Sequence, residues 1–360
     1  MPSPIPMTRL LSRELYQCLN FGACSSPLAK NASISTLRVP AQRLHGKIAT
    51  RLWSSTILWK ELHSMQSIGS GGFGSVYRGV YFGETVAVKK VKKCTKNKLA
   101  SRQSFWAELN AGHLRHKNIV RIIAATTCVP VNLENEDNIG TILMEYVGNR
   151  NLHQVIYDCA EELGVVRWTK FSIDIAHGLD FLHKNDILHL DLKPANVLVS
   201  MEDVCKIVDF GSSLKLDQGS DMPENRPLLS HVGGTYTHRA PELLKGEDVS
   251  PKADIYSFGI TLWQLITRGQ PYVGERQHVL YAVVAYELRP SVKDNPFFDT
   301  QEGDSCRSLL CRCWGSEAKL RPSAQEIIVH LETVQSFSDI FILEVEVDLP
   351  ARNEVTRVQT

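Results

Sequence analysis

The run His189-Leu190-Asp191-Leu192-Lys193-Pro194-Ala195-Asn196-Val197-Leu198 places a carboxylate, an ammonium and an amide in one loop between hydrophobic segments. Each group suits a separate task. Asp191 can accept or orient the proton of an attacking hydroxyl, Lys193 can neutralise a migrating phosphoryl group, and Asn196 can hold a magnesium ion through its amide oxygen. Eleven residues past Leu198 stands Asp209-Phe210-Gly211. Its acid is placed to chelate magnesium between the β- and γ-phosphates of a nucleotide.

Upstream, Ile68-Gly69-Ser70-Gly71-Gly72-Phe73-Gly74-Ser75-Val76 is a glycine-rich turn whose backbone can close over phosphates and donate N–H groups to them. Gly74 is followed by another β-type run ending at Tyr81, whereas a dinucleotide-binding fingerprint would open a helix there. A plain hairpin turn is the competing reading of this stretch alone. Fifteen residues after Gly74, Lys89 closes Val86-Ala87-Val88-Lys89, an apolar strand from which it can hold the α- and β-phosphates. Glu108 lies among large apolar residues in Phe105-Trp106-Ala107-Glu108-Leu109. An ion pair with Lys89 explains an acid there; an exposed glutamate with its stem on the surface is the alternative.

Short β-rich runs at Ser64–Ile68, Ser75–Tyr81, Thr85–Lys90, Ile119–Ala124 and Thr141–Tyr146, with a helical pattern over Ser101–Leu114, predict a small sheet with one main helix. Beyond Val147–Asn151 the pattern turns helical, with amphipathic candidates at Ser172–Leu182, Ile255–Thr267, His278–Tyr286 and Cys306–Cys313. The expected class is therefore α+β. Residues 1–55 read as a flexible leader, 56–146 as a small lobe, 147–337 as a larger, mostly α-helical one, and 338–360 as a tail. In that tail Phe341, Leu343, Val345 and Val347 alternate with acids, which fits a strand or a disordered segment.

Bulk composition narrows the function classes. The chain has 360 residues, 43% hydrophobic and 22% charged, in the range of soluble globular proteins and long enough for two cores. Forty basic residues nearly cancel 39 acidic ones, so no global field recruits nucleic acid or an anionic membrane. The nine cysteines lack the spacing of a zinc site and read as reduced thiols. No apolar run reaches the roughly 18 residues a transmembrane helix needs, and Pro2 stands where myristoylation requires glycine. A cytoplasmic protein is expected. The first sixty residues carry Arg9, Arg13, Arg38, Arg43 and Arg51 with the single acid Glu14, a transit-peptide-like composition. Pro2, Pro4 and Pro6 oppose a helix at the terminus and favour a solvated basic extension, in which Ser3-Pro4 is a candidate phosphosite.

Glycine loop, strand lysine, helix glutamate, catalytic loop and Asp-Phe-Gly, in this order from about Leu62 to Leu331, resemble the protein-kinase family. The resemblance implies a bilobal fold with ATP and Mg2+ as cofactors. It makes Asp191, Lys193, Lys89 and Glu108 the catalytic set and Asn196 and Asp209 the metal ligands. Nucleotide contacts would come from Ile68, Gly69, Ser70, Gly71, Gly72, Phe73, Gly74 and Lys89, with Val76 and Ala87 above the adenine and Leu198 below. Backbone of Glu145 and Val147 would form the hinge, with Met144 as gatekeeper. By the same likeness, Gly234-Thr235-Tyr236-Thr237-His238-Arg239-Ala240-Pro241-Glu242 is the end of an activation segment. Thr235 would bond near Asp191 and Lys193, Glu242 would pair with Arg321, and Asp254 would brace the catalytic loop.

Lys193 and the Gly-Thr before Ala240-Pro241-Glu242 resemble the serine/threonine branch. Runs outside the catalytic motifs, such as Cys94-Thr95-Lys96-Asn97, Ser104–Asn110 and Gly274-Glu275-Arg276-Gln277-His278, are similar to one subfamily of it. That closer likeness implies a MAP kinase kinase kinase, monomeric, with MAP kinase kinase as its protein substrate, acting in oocyte meiotic maturation and metaphase arrest. Leu190 departs from the family pattern, since most members carry there an arginine that neutralises an activation-segment phosphate. A scaffold without phosphotransfer is the rival from another class, and a nucleic-acid-binding module lacks a basic face. The presence of Lys89, Asp191, Asn196 and Asp209 together argues for the enzyme.

Overall fold

The computed structural model describes residues 57–71, 74–92, 98–127, 138–216, 235–293 and 295–347. Ser3-Pro4, and Gly72 and Phe73 of the glycine turn, lie outside these residues, as do Thr8–Leu19, whose pattern suggests a short helix, and the acid-rich stretch Asn132–Asp137, which reads as a loop. The chain forms two compact units, one of Met1–Asn149 with Val208–Lys215, the other of Arg150–Ile207 with Leu216–Thr360. The Asp-Phe-Gly segment thus folds with the first unit, not with the residues that flank it in sequence.

In the first unit β1 (Leu62–Gly71), β2 (Gly74–Tyr81), β3 (Glu84–Lys92), β4 (Ile122–Thr126) and β5 (Asn138–Glu145) form one antiparallel sheet in the order β1-β2-β3-β5-β4. Residues two apart on a strand share a face. On β3, Val86 and Val88 enter a core with Ile57, Tyr81, Ala124 and Leu143, and the alternation turns Ala87 and Lys89 to the opposite face. The helix α1 (Lys98–Glu108) seats Phe105 so closely on β5 that a Cβ on Gly140 would lie 2.4 Å from its ring. The five strands and one main helix are those expected, with boundaries shifted by a few residues.

The second unit is mostly helical: α2 (Leu152–Tyr157), α3 (Val165–Lys184), a hairpin of β6 (Val197–Val199) and β7 (Cys205–Ile207), α4 (Pro241–Lys245), α5 (Lys252–Thr267), α6 (Arg276–Ala285), α7 (Gln301–Cys313) and α8 (Ala324–Val347). Capping chemistry starts several of them. Asn151 and Gln154 make a reciprocal capping box for α2, and Thr300 accepts from the Gly303 N–H at the start of α7. At α8 the Ser323 N–H donates to Glu326 at 2.7 Å while Ser323 Oγ accepts from the Glu326 N–H at 3.2 Å. Gly246, at φ +74°, ends α4 in the left-handed conformation glycine adopts without a Cβ clash.

The tail departs from expectation. The alternation from Phe341 to Val347 fits a strand or a disordered segment, but the backbone continues α8 through Val347. Ile327, Ile328, Leu331 and Val334 are buried at helical spacing, so the helix is established by packing before the alternating stretch begins.

Arg321, wholly buried, grips Glu242 through Nη1 at 2.6 Å and Nη2 at 2.8 Å while its Nε donates to the Gly315 carbonyl at 2.9 Å. The pairing expected from the sequence is present, and it pins the start of α4. Removing one member of such a pair leaves a buried charge uncompensated. Arg321→Met should therefore lower unfolding free energy by about 3–5 kcal/mol in urea titrations; a loss under ~1 kcal/mol would contradict this account.

Candidate active site

Both halves of the predicted constellation are built locally, one in each unit. In the first, Lys89 Nζ donates to Glu108 Oε2 and to Asp209 Oδ1, each at 2.7 Å. Strand alternation puts Lys89 on the α1 side of the sheet, and Glu108, last residue of α1, is 1% exposed beneath it. Burial alone would lower the Lys89 pKa, but the Glu108 and Asp209 carboxylates outweigh it and hold the ammonium charged. Burial works on Glu108 in the other sense and raises its pKa, against the opposing attraction of Lys89. The exposed-glutamate alternative is thereby excluded.

Asp209 is held by its neighbours. Phe210 is fully buried, and a Cβ on Gly211 would lie 2.4 Å from Ser104 Oγ of α1. Ser213 Oγ donates to the Ala107 carbonyl at 2.8 Å and Asn110 Nδ2 donates to Ser213 Oγ at 3.1 Å, so the whole segment is laced to the helix that carries Glu108. Asp209 itself sits at φ +65° with its side chain 38% exposed, the one open member of the triad.

The glycine turn is the tip of the β1–β2 hairpin, with Gly69 opposite Val76 and Gly71 opposite Gly74. A Cβ on Gly74 would lie 2.3 Å from the Lys90 carbonyl oxygen, so glycine is obligatory there, whereas Gly69 and Gly71 face open space. Ser70 Oγ accepts from Lys92 Nζ at 3.2 Å. Ile68 is exposed, Val76 is half-buried, and Ala87 and Met144 are register partners on adjacent strands. The Glu145 N–H donates to the Arg121 carbonyl at 2.9 Å and its carboxylate accepts from the Arg121 N–H at 2.8 Å, which fixes the end of β5 just before Val147.

In the second unit the loop of Asp191 closes on itself. Asp191 Oδ2 accepts from Lys193 Nζ at 2.9 Å and from Asn196 Nδ2 at 3.1 Å, and Oδ1 accepts from the Thr235 N–H at 2.8 Å. Lys193 Nζ also donates to Thr235 Oγ1 at 2.5 Å. A carboxylate has about four lone-pair sites, so Asp191 retains capacity for one incoming hydroxyl. Leu198 follows on β6, opposite Lys206 of β7 and bridged to Asn151.

Beneath this loop Asp254, fully buried in the first turn of α5, accepts from the His189 N–H at 2.9 Å, the Leu190 N–H at 2.8 Å and His183 Nε2 at 3.0 Å. Burial opposes its ionisation, but His183 and the loop N–H groups outweigh that and keep its pKa below the usual carboxylate range. Leu190 needs this support: it adopts φ +61°, where a side chain costs about 1–2 kcal/mol, and is 5% exposed. His183 was not singled out in the sequence, where it reads only as the end of an amphipathic helix. Its partner lies 71 positions away, a distance no local pattern spans.

Among the described residues no three His, Cys, Asp or Glu side chains gather into a metal cluster. Each of the two expected metal ligands, taken in its own unit, carries an oxygen donor of the kind a hard divalent cation takes. Asn196 spends its amide N–H on Asp191, so its oxygen remains the acceptor end of the group, and Asp209 carries a carboxylate 38% exposed.

Asp254→Asn turns an amide N–H toward backbone donors and should lower kcat about 10- to 100-fold, the size of ~1–3 kcal/mol for one lost buried hydrogen bond. The KM for ATP should stay within about twofold, since Lys89 and its partners are untouched. Steady-state kinetics on variant with a native circular-dichroism spectrum checks both numbers.

Residues 62–331 match the protein kinase domain. Over 337 residues the chain is 50% identical to the serine/threonine-protein kinase mos of Xenopus laevis, covering 92% of each chain. It is 49% identical to the mos proto-oncogene kinase of Mus musculus over 336 residues, which cover 90% of this chain and 96% of that protein. The corresponding kinase of Sus scrofa is 47% identical over 352 residues, 93% of this chain and 99% of its own. With its β-rich and helical units, its paired Lys89 and Glu108 and its Asp191 loop, the chain belongs to the protein kinase family, among the Mos serine/threonine-protein kinases.

Proposed function

We propose that this serine/threonine kinase transfers the γ-phosphate of Mg-ATP to MAP kinase kinase, as a monomeric MAP kinase kinase kinase of the cytoplasm that drives oocyte meiotic maturation and metaphase arrest. The observation that carries the reading is the joint bonding of Lys89 to Glu108 and Asp209 at 2.7 Å, the arrangement of a kinase assembled for turnover. Likeness to mos kinases over nine-tenths of the chain, well beyond the motifs, supports the choice of substrate. The free thiols of Cys159, Cys205, Cys306, Cys311 and Cys313 suit a reducing compartment.

In this reading Lys89, oriented by Glu108, holds the α- and β-phosphates, and the glycine turn from Ile68 through Gly74 donates backbone N–H groups to them. Asp209 and Asn196 hold the magnesium. Val76, Ala87, Met144, Glu145, Val147 and Leu198 receive the adenine. Asp191 takes the hydroxyl proton of the acceptor, and Lys193 neutralises charge as the phosphoryl group moves. Magnesium supplies charge neutralisation at the phosphates when bound. Such chemistry is mostly positioning, which the fixed loops provide.

Transfer of labelled γ-phosphate to a catalytically dead MAP kinase kinase tests this directly. Wild type should label serine, and Lys89→Arg and Asp191→Asn should each fall by about 100-fold or more. Labelling of a generic serine peptide but not of MAP kinase kinase would remove the proposed substrate and leave the residue roles.

Leu190 cannot clamp a phosphate, and the structure of its loop comes from Asp254 instead. Activity is therefore expected to persist after phosphatase treatment of the kinase; loss of nearly all turnover would contradict it.

A further inference from the structure

A chain of hydrogen bonds runs through the second unit that the transfer chemistry so far leaves unused. Tyr157, last residue of α2, donates its hydroxyl proton to the Gly269 carbonyl at 2.8 Å. With that proton spent, the 2.7 Å contact between Tyr157 Oη and Gln264 Nε2 is donated by the amide. The amide oxygen of Gln264, buried in α5, is thereby turned to His238 Nε2, 2.7 Å away. On the other side of the imidazole, Nδ1 lies 2.9 Å from Thr237 Oγ1.

The direction of the chain fixes the state of the ring. A carbonyl oxygen only accepts, so His238 Nε2 carries a proton. A second proton is opposed by burial, which lowers the pKa to about 4; Lys193 and His153 act with burial, Gln264 and Asp191 against it. The ring is therefore neutral, and its bare Nδ1 accepts from the Thr237 hydroxyl. The backbone of His238 is engaged as well: its N–H donates to the Thr235 carbonyl at 3.1 Å and its carbonyl accepts from Ser257 Oγ at 2.8 Å. Thr235 is the residue whose N–H and hydroxyl bond Asp191 and Lys193, and its remaining polar atom, the carbonyl, is the one that His238 holds. The helix that presents Gln264 to this ring also carries Asp254, so α5 fixes the Asp191 loop from two sides.

We infer that His238 is a positioning residue for phosphoryl transfer, clamped by Gln264 and Tyr157 so that the turn behind Thr235 holds Asp191 and Lys193 in place for the acceptor hydroxyl. The inference rests on the reading of Asp191 as the group that meets that hydroxyl. A neutral imidazole suits the place because its two nitrogens, set across a rigid ring, donate at one edge and accept at the other. Phenylalanine would fill the same space but leave the Gln264 oxygen and the Thr237 hydroxyl without their partner. A protonated ring would turn Nδ1 from acceptor to donor and reverse its bond with Thr237. The clamp thus depends on one tautomer, and that tautomer is set by Tyr157 through Gln264.

The test combines kinetics of the full chain on a generic serine peptide, titration with a fluorescent ATP analogue, and ring-nitrogen NMR of histidine-labelled protein. His238→Phe should lower kcat about 10- to 100-fold and leave the nucleotide Kd within about twofold. Gln264→Leu should act in the same direction, and the double variant should have a kcat within about twofold of His238→Phe alone, since both break one chain. His238→Gln, which keeps a donor and an acceptor, should recover at least about a third of the wild-type kcat. Tyr157→Phe removes only the hydroxyl at the far end and should lower kcat about threefold or more, which keeps the test available should the His238 variants not fold. In the NMR spectrum of wild type at neutral pH, the signal lost in the His238 variants should be that of a neutral ring protonated at Nε2. A ring protonated at Nδ1, a kcat unchanged in Tyr157→Phe and His238→Phe, or losses that multiply in the double variant overturn the inference. No transfer to the peptide by wild type overturns the acceptor role of Asp191 and the inference with it, whereas transfer to the peptide but not to MAP kinase kinase removes only the proposed substrate.

Discussion

The carboxylate of Asp254 is the constraint on which the second unit's chemistry depends. It gathers two consecutive backbone N–H groups and a histidine ring around one buried charge. A loop with Leu190 in the left-handed region would relax without that anchor, and Asp191 is the next residue. The orientation of the reacting carboxylate is thus set from below by a residue that touches no substrate. Charge in the first turn of α5 serves twice, since the same carboxylate is favoured by the helix dipole.

The first unit solves a comparable problem with a lysine. Lys89 satisfies two carboxylates at once, one from α1 and one from the segment 208–215. A single ammonium therefore reports whether helix, strand and Asp-Phe-Gly segment are all in place. In each of the two units a buried carboxylate or ammonium holds a residue with positive φ, Leu190 under Asp254 and Asp209 at Lys89. Backbone strain and charge pairing occur together because the second holds the first.

Much of this was legible in the sequence because phosphoryl-transfer motifs keep fixed residue types in fixed order. Lys89, Glu108, Asp191, Asn196 and Asp209 are each named by a neighbouring pattern, and the five strands follow from alternation. What escaped was written in capping and in distant pairs. Ser323 and Glu326 spell a capping box, and Asn151 and Gln154 another, yet hydrophobic period alone passed over α2 and the long α8. The alternating Phe341–Val347 misled because helix propagation from a packed start overrides a local period of two. His183 has no local signature at all, since its meaning lies in a partner brought near by the fold.

The discontinuity of the first unit bears on how the chain is made. Its sheet and α1 are finished by residue 145, but the strip Val208–Lys215, with Phe210 buried in it and Asp209 bonded to Lys89, is synthesised some sixty residues later. At roughly 5–20 residues per second, the nascent unit spends several seconds on the ribosome with Lys89 and Glu108 buried but lacking their third partner. A protein whose N-terminal half must wait for its C-terminal half in this way presents an unfinished apolar seat for Phe210 throughout that interval. Chaperones that bind exposed apolar surface have their opportunity then, before any nucleotide does.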